Sequence, residues 1–297
     1  MKETILIAGG TGNLGERIIR ALLHKGAQPR MVVRASSDAA KLDTFKQLGV
    51  EVIIVDMLNV EELTKACTGV SCVISALQGL RDVIVDTQTA LLDAAVAAGV
   101  PRFIPSDYSL DFTKLIAGEN RNFDLRREFH KRLHTASISA TSIFNGAFAE
   151  ILAYNIPIFD VKKKMVGYWG EDANWYLDFT TMDDTAAYTA AAALDLSTPR
   201  YLNIAGFQVS PKELLAIANE ATKSDFKLVP MGSLGEFAAY NKRERTAHPE
   251  GEHELNPRWQ SGQYMHGMFS VHHETLDNDR YPDLKWTTAP YFIKSLL

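Results

Sequence analysis

Cysteine is nearly absent from this chain: Cys67 and Cys72 are the only two among 297 residues, too few for a disulfide framework. Cys72 lies in an apolar run, where it reads as a small packed hydrophobe, and a reducing cytoplasm is the expected compartment. Proline is also sparse, at 11, while 46% of the residues are apolar, which excludes a disordered or fibrous chain and leaves ample material for a buried core. No run approaches the roughly 18 consecutive apolar residues of a membrane span, and Met1-Lys2-Glu3-Thr4-Ile5 leads into a strand rather than a signal peptide. No membrane partner is expected. Nor is there a long basic block: 31 basic against 36 acidic residues give a net charge of -5, which argues against a phosphate-backbone binder. A Gly-x-Ser-x-Gly elbow and a His-Glu-x-x-His sequence are both missing, so neither an α/β-hydrolase nucleophile nor a metal centre is read.

What the chain does have is alternation. Thr4 to Ala8, Arg30 to Arg34, Val50 to Val55, Ser71 to Leu77, Arg102 to Ser106 and Thr141 to Asn145 are runs of five to seven residues rich in Val and Ile, the pattern of parallel strands buried on both faces. Between the first two, Leu14, Ile18 and Leu22 recur every four residues and Gly26 follows, giving an amphipathic helix with a stop. Thr89 to Ala98 reads as another helix, closed by Gly99 and Pro101. Repeated strand, helix, strand units fold with right-handed crossovers, so the fold class is α/β, a doubly wound parallel sheet of the Rossmann type. The alternation weakens near residue 155, and the expected division is a dinucleotide-binding domain over 1–155 and a smaller substrate-binding portion over 156–297, parts of which pack back on the sheet. Within the second portion, Thr185 to Leu194 reads as a helix, Tyr201 to Ala205 as a strand, and Ser210-Pro211 as the start of a further helix. Asn241 to Gly262 has few apolar residues and reads as a long exposed loop or lid.

The glycine run Gly9-Gly10-Thr11-Gly12-Asn13-Leu14-Gly15 falls where the first strand meets the first helix. Missing Cβ atoms let the backbone turn tightly and approach a pyrophosphate, and amides at the helix N-terminus point at its charge. A glycine run alone is weak evidence; this one has the strand before it and the amphipathic helix after it. NAD-binding chains place Asp or Glu at the end of the second strand, against the ribose hydroxyls. Here Met31-Val32-Val33 ends in Arg34, whose guanidinium suits a 2′-phosphate, with Lys41 as a second contact, so the expected cofactor is NADP(H). The bland alternative is a solvated arginine at a strand end. Asp56 and Met57 close the third strand, and Ser75, Ala76, Leu77 and Gln78 the fourth, at the sheet edge where adenine and ribose would lie.

These features resemble the NmrA-like and isoflavone reductase-like branch of the atypical short-chain dehydrogenase/reductases. The resemblance rests on the Gly9 to Gly15 loop, Arg34, the run from Gln88 to Tyr108 that ends Pro105-Ser106-Asp107-Tyr108, the stretch Thr141 to Phe148, Asp184-Thr185-Ala186 and Asn278 to Asp283. It spans nearly the whole chain and implies an NADP-binding domain with a small C-terminal substrate domain. It further implies that Ser106, Asp107, Tyr108, Asn145 and Phe148 line the nicotinamide end. Plant reductases of this branch carry a catalytic Lys twelve residues before the Ile that leads into the sixth strand; counting back from Ile138 puts Arg126 there. Arginine stays charged and serves to stabilise negative charge rather than to trade a proton.

Two readings follow. One is an NADPH-dependent reductase of a small aromatic or conjugated substrate, with Arg126 or Tyr108 supporting an oxyanion, Tyr108 able to donate a proton and Asp107 beside them. The other is a non-catalytic NADP(H)-sensing regulator acting through a protein partner, for which the substituted lysine and the charged 241–262 segment speak. Three further patterns have plain explanations. Tyr281-x-x-x-Lys285 stands far from any nicotinamide-flanking helix and reads as chance, the i, i+4 pair His130 and His134 and the run His272-His273-Glu274 read as solvated or packed, and Val161 to Lys164 reads as a solvated turn.

Overall fold

The computed structural model describes residues 2–297. The first unit is built on alternating elements: β1 (Thr4–Ala8), α1 (Asn13–His24), β2 (Gln28–Val33), α2 (Ala39–Gln47), β3 (Glu51–Ile54), α3 (Val60–Cys67), β4 (Cys72–Ser75), α4 (Gln88–Ala97), β5 (Arg102–Ile104), α5 (Arg121–Leu133) and β6 (Ser139–Ala140). A single turn of π-helix, Asp82–Thr87, precedes α4. The strands form one parallel sheet in the order β3-β2-β1-β4-β5-β6, so the winding direction reverses between β1 and β4, the switch point at which open α/β sheets bind ligands. Leu6, Val73, Leu91, Phe103 and Phe129 pack in the core on one side of this sheet.

The sheet departs from the expected strands in two places. β3 is not buried on both faces: it is the edge strand, and Ile54 is 61% exposed. The last strand of the sheet is β6 rather than the run Thr141 to Asn145. Thr141 still donates its N–H to the Phe103 carbonyl at 3.0 Å, but Ser142 donates to the Arg200 carbonyl at 2.9 Å. The apolar run therefore leaves the sheet after one residue and forms β7 (Ser142–Phe144) with a new partner.

The second unit contains β8 (Ala147–Phe148), β9 (Met165–Tyr168) and β10 (Leu177–Thr180). α6 (Met182–Leu194) and β11 (Tyr201–Asn203) follow in the chain, and then β12 (Phe207–Val209), α7 (Pro211–Thr222), β13 (Lys227–Pro230), α8 (Leu234–Ala247), α9 (Arg258–Met268) and α10 (Ala289–Leu296). Its core is strongly aromatic, with Phe112, Phe123, Phe159, Trp169, Phe179 and Phe226 among the buried residues. The two compact units do not follow a single cut in the chain. One comprises 1–107, 124–143 and 185–202; the other comprises 108–123, 144–184 and 203–297.

The segment 241–262 is not an exposed loop. It holds the end of α8, a 3-10 turn over Pro249–His253 and the start of α9. The helix begins at a capping box in which Ser233 and Glu236 satisfy each other's backbone N–H groups. The following turn wraps the buried Arg121 guanidinium, which donates to the carbonyls of Gly251, Glu252, Glu254 and Leu255 at 2.9 to 3.4 Å and lies 4.9 Å from the Trp259 ring centroid. The arginine and the buried Trp259 ring together hold the segment. Among the described residues no helix is long and apolar enough to cross a membrane.

Candidate active site

The glycine loop sits at the switch point, directly after β1. Gly9 has φ 84°, which favours glycine, and its carbonyl accepts the Gly12 N–H at 2.9 Å, closing the turn. The glycines differ in what they exclude. A Cβ on Gly9 would meet the Ala76 carbonyl oxygen at 2.4 Å, one on Gly15 the Gly9 oxygen at 2.2 Å, and one on Gly10 the Met31 sulfur at 2.4 Å. These three allow the loop to pack on β2, the β4 exit and α1. Gly12 is exposed, and its Cβ would meet only the Gly9 oxygen, at 3.2 Å. Packing thus gives little reason for glycine at position 12, whereas the close approach of a ligand would. Gly12 is also the N-cap of α1 and offers no capping side chain, so the N–H groups of Asn13, Leu14 and Gly15 lack helical acceptors and favour an anion. The loop fits a pyrophosphate on both counts.

Around the loop, Arg34 is exposed immediately after β2, and Lys41 Nζ donates to the Thr11 carbonyl at 2.7 Å. Asp56 is exposed and accepts the Leu58 N–H at 3.0 Å, while Met57 beside it is buried. At the β4 exit Ser75 is fully buried with no hydrogen-bond partner for its hydroxyl, Ala76 packs on Gly9, and Gln78 is exposed. Leu77 accepts the Ser106 hydroxyl at 2.7 Å, which ties the β5 exit to the β4 exit.

Arg126 and Asp107 lie in the same unit as the loop. Arg126 Nε donates to the Ser106 carbonyl at 3.1 Å. Asp107 is wholly buried, and its Oδ2 accepts from His130 Nε2 at 2.7 Å and from Ser142 Oγ at 2.6 Å. Burial resists ionisation of Asp107, yet its pKa is held below the usual carboxylate range, by His130 above all and then by Ser142 and the Arg126 charge. Tyr108, Asn145 and Phe148 belong to the other unit. Tyr108 is buried there and Phe148, on β8, is half-buried. Asn145 is fully buried and its carbonyl accepts from Thr180 Oγ at 2.7 Å, while neither side-chain amide atom has a hydrogen-bond partner.

Sequence reasoning missed Gln88, whose Oε1 accepts the Ser106 N–H at 2.8 Å, together with His130, Ser142 and Arg200. The one available signal was the i, i+4 spacing of Arg126 and His130, which shares a helix face. Among the described residues no cluster of His, Cys, Asp or Glu could hold a metal ion, and Tyr281 to Lys285 is not helical.

A glycine cradle at the switch point of a 3-2-1-4-5-6 parallel sheet defines a dinucleotide-binding α/β protein. The family is narrower. The model of the NmrA-like family matches residues 1–232, and the chain belongs to that family. It is 27% identical over 321 aligned residues to Pinoresinol reductase 2 of Arabidopsis thaliana, covering 99% of this chain and 96% of that one. It is 30% identical over 229 residues to Eugenol synthase 1 of Petunia hybrida, covering 72% and 71%. The solved structure of AtPrR2 with NADP+ and (+)pinoresinol matches with a TM-score of 0.80 and 25% identity over 100% of this chain and 99% of that chain.

Proposed function

We propose that this chain is an NADPH-dependent reductase of a small aromatic or conjugated substrate of the enone, quinone or aldehyde type. One observation carries the reading: the chain matches over its whole length a protein solved with NADP+ and (+)pinoresinol.

When bound, the nicotinamide supplies the hydride. The protein's part is to bind, orient and stabilise. The α1 N-terminus and Gly12 take the pyrophosphate, while Arg34 and Lys41 pair with the 2′-phosphate that separates NADPH from NADH. Asp56, Met57 and the residues from Ser75 to Gln78 hold adenine and ribose. Arg126 stays charged and stabilises the negative charge that develops on the substrate, so the proton has to come from another donor, for which Tyr108 is our candidate. Asp107 keeps its charge through His130 and Ser142 and serves as an anchor. In the second unit the buried amide of Asn145 asks for a polar partner, and Phe148 offers an aromatic face. Both cysteines are free and buried, which suits a reducing cytoplasm.

The test is NADPH oxidation against a panel of quinones, enones, aromatic aldehydes and lignan-like phenolic ethers. Turnover with at least one class is expected. NADPH binding without oxidation of any of them would favour the regulator reading instead.

A further inference from the structure

α5 sets Arg126 and His130 four residues apart on one face, and each grips one of two consecutive residues in the turn that leaves β5. Arg126 holds the Ser106 carbonyl, and His130 holds the Asp107 carboxylate. Asp107 is fully buried, so its charge has to be matched by local donors. Ser142 on β7 supplies the second donor, and its hydroxyl in turn accepts from Arg200 at 2.8 Å. The carboxylate is therefore pinned from two elements, α5 and β7.

The preceding residue inherits that position. Ser106 donates its hydroxyl to Leu77 and its N–H to Gln88, and Leu77 follows Ala76, on which Gly9 packs. A displacement of Asp107 would thus pass to Ser106, to the Arg126 contact and to the β4 exit beside the glycine loop. The charged and titratable groups around His130 are Asp107 from the β5 exit, Arg126 and His134 from its own helix, and Arg200 from the segment before β11.

We propose that His130 is a positioning residue of the candidate site: acting through Asp107, it holds the Ser106–Asp107 turn in register with Arg126 and the β4 exit. The activity readout below rests on the reductase reading. The paired variants His130→Leu and His130→Gln test the proposal. Leucine takes the His130 donor away from the buried carboxylate, whereas glutamine can still present an N–H near the place of Nε2.

Because small misplacements cost rate steeply, His130→Leu should lower kcat about tenfold to a hundredfold per folded molecule. KM and NADPH affinity should stay within about threefold, and His130→Gln should recover most of the lost rate. Unchanged kcat per folded molecule in His130→Leu, with only a lower melting temperature, would show a merely structural role and overturn the proposal, as would equal losses in both variants. A second readout needs no turnover. In the wild-type protein NADPH should shift the His130 ring N–H resonance while leaving that of His24, exposed at the end of α1, in place. An unmoved His130 resonance in the NADPH-saturated protein overturns the proposal. A shift without reduction of any substrate would uphold the positioning role while refuting the reductase reading.

Discussion

Lys41 on α2 donates to the carbonyl of Thr11, 30 residues earlier in the chain, at 2.7 Å, and so places an ammonium against the glycine loop. Its Nζ is also 3.3 Å from Glu16 on α1. Arg34 is exposed just after β2, and under the proposed function these two cations pair with the 2′-phosphate.

Cofactor choice follows from that pair. NADPH should bind about tenfold to a hundredfold more tightly than NADH, and Arg34→Ala should remove most of the difference, since a charge-assisted contact contributes about 1.5 to 3 kcal/mol. Lys41→Ala should weaken NADPH by a smaller factor. Calorimetric titration of both cofactors measures this, and equal affinities in the wild type would contradict it.

The glycines separate folding from binding. Gly12→Val should abolish NADPH binding in a folded protein, because the side chain, tight only against the Gly9 oxygen at 3.2 Å, would project where the pyrophosphate is proposed to lie. Gly15→Ala should instead destabilise the fold, since its Cβ would fall 2.2 Å from the Gly9 oxygen. Circular dichroism melts combined with cofactor fluorescence distinguish the two effects, and a Gly12→Val protein that binds NADPH normally would place the site elsewhere.

Much of this was legible in the sequence because it depends on near neighbours. The β1 run, the glycine spacing and the Leu14, Ile18, Leu22 periodicity fix the loop within a few residues, and Ser210-Pro211 marks the start of α7, whose capping box with Glu213 forms as the residue types suggest. Features made by distant pairings were hidden. The run Thr141 to Asn145 gives no sign that Ser142 will turn to residue 200 for its partner. The turn between the helices of 241–262 wraps Arg121, far away in the chain, and His130 bonds to Asp107, 23 residues before it.

Arg126 is the sharpest catalytic test in the first unit. Arg126→Ala should lower turnover of any accepted substrate by about a hundredfold with NADPH affinity nearly unchanged, as for a lost oxyanion donor. Arg126→Lys should keep part of the activity and acquire a new pH dependence as the lysine titrates. Steady-state kinetics across pH checks both, and full activity in Arg126→Ala would remove it from the mechanism.

Stability should fall as the solution is acidified below neutrality. Burial pushes the pKa values of His266 and His273 below the ordinary 6.5. At a given pH in this range both hold fewer protons in the folded chain than in the unfolded one. Their contribution is therefore present above the unfolded value and is lost as pH drops through it toward the folded values. Melting temperatures recorded from about pH 8 to about pH 5 should decline, and His266→Phe, which keeps the aromatic contact with Phe237, should flatten part of the slope. A melting temperature independent of pH in that range would contradict the assignment.

The central claim, that this protein passes hydride from NADPH to an electrophilic carbon of an aromatic or conjugated substrate, is tested most directly by isotope transfer. NADPH deuterated on one face at C4 of the nicotinamide is incubated with the best substrate of the panel whose product keeps the new C–H bond, an enone, aldehyde or ether rather than a quinone, and the product is weighed by mass spectrometry. Stereospecific reduction predicts a product that carries a single deuterium from one C4 epimer of the cofactor and none from the other. Cofactor that stays bound and unoxidised, or product that carries no deuterium from either epimer, would contradict the account.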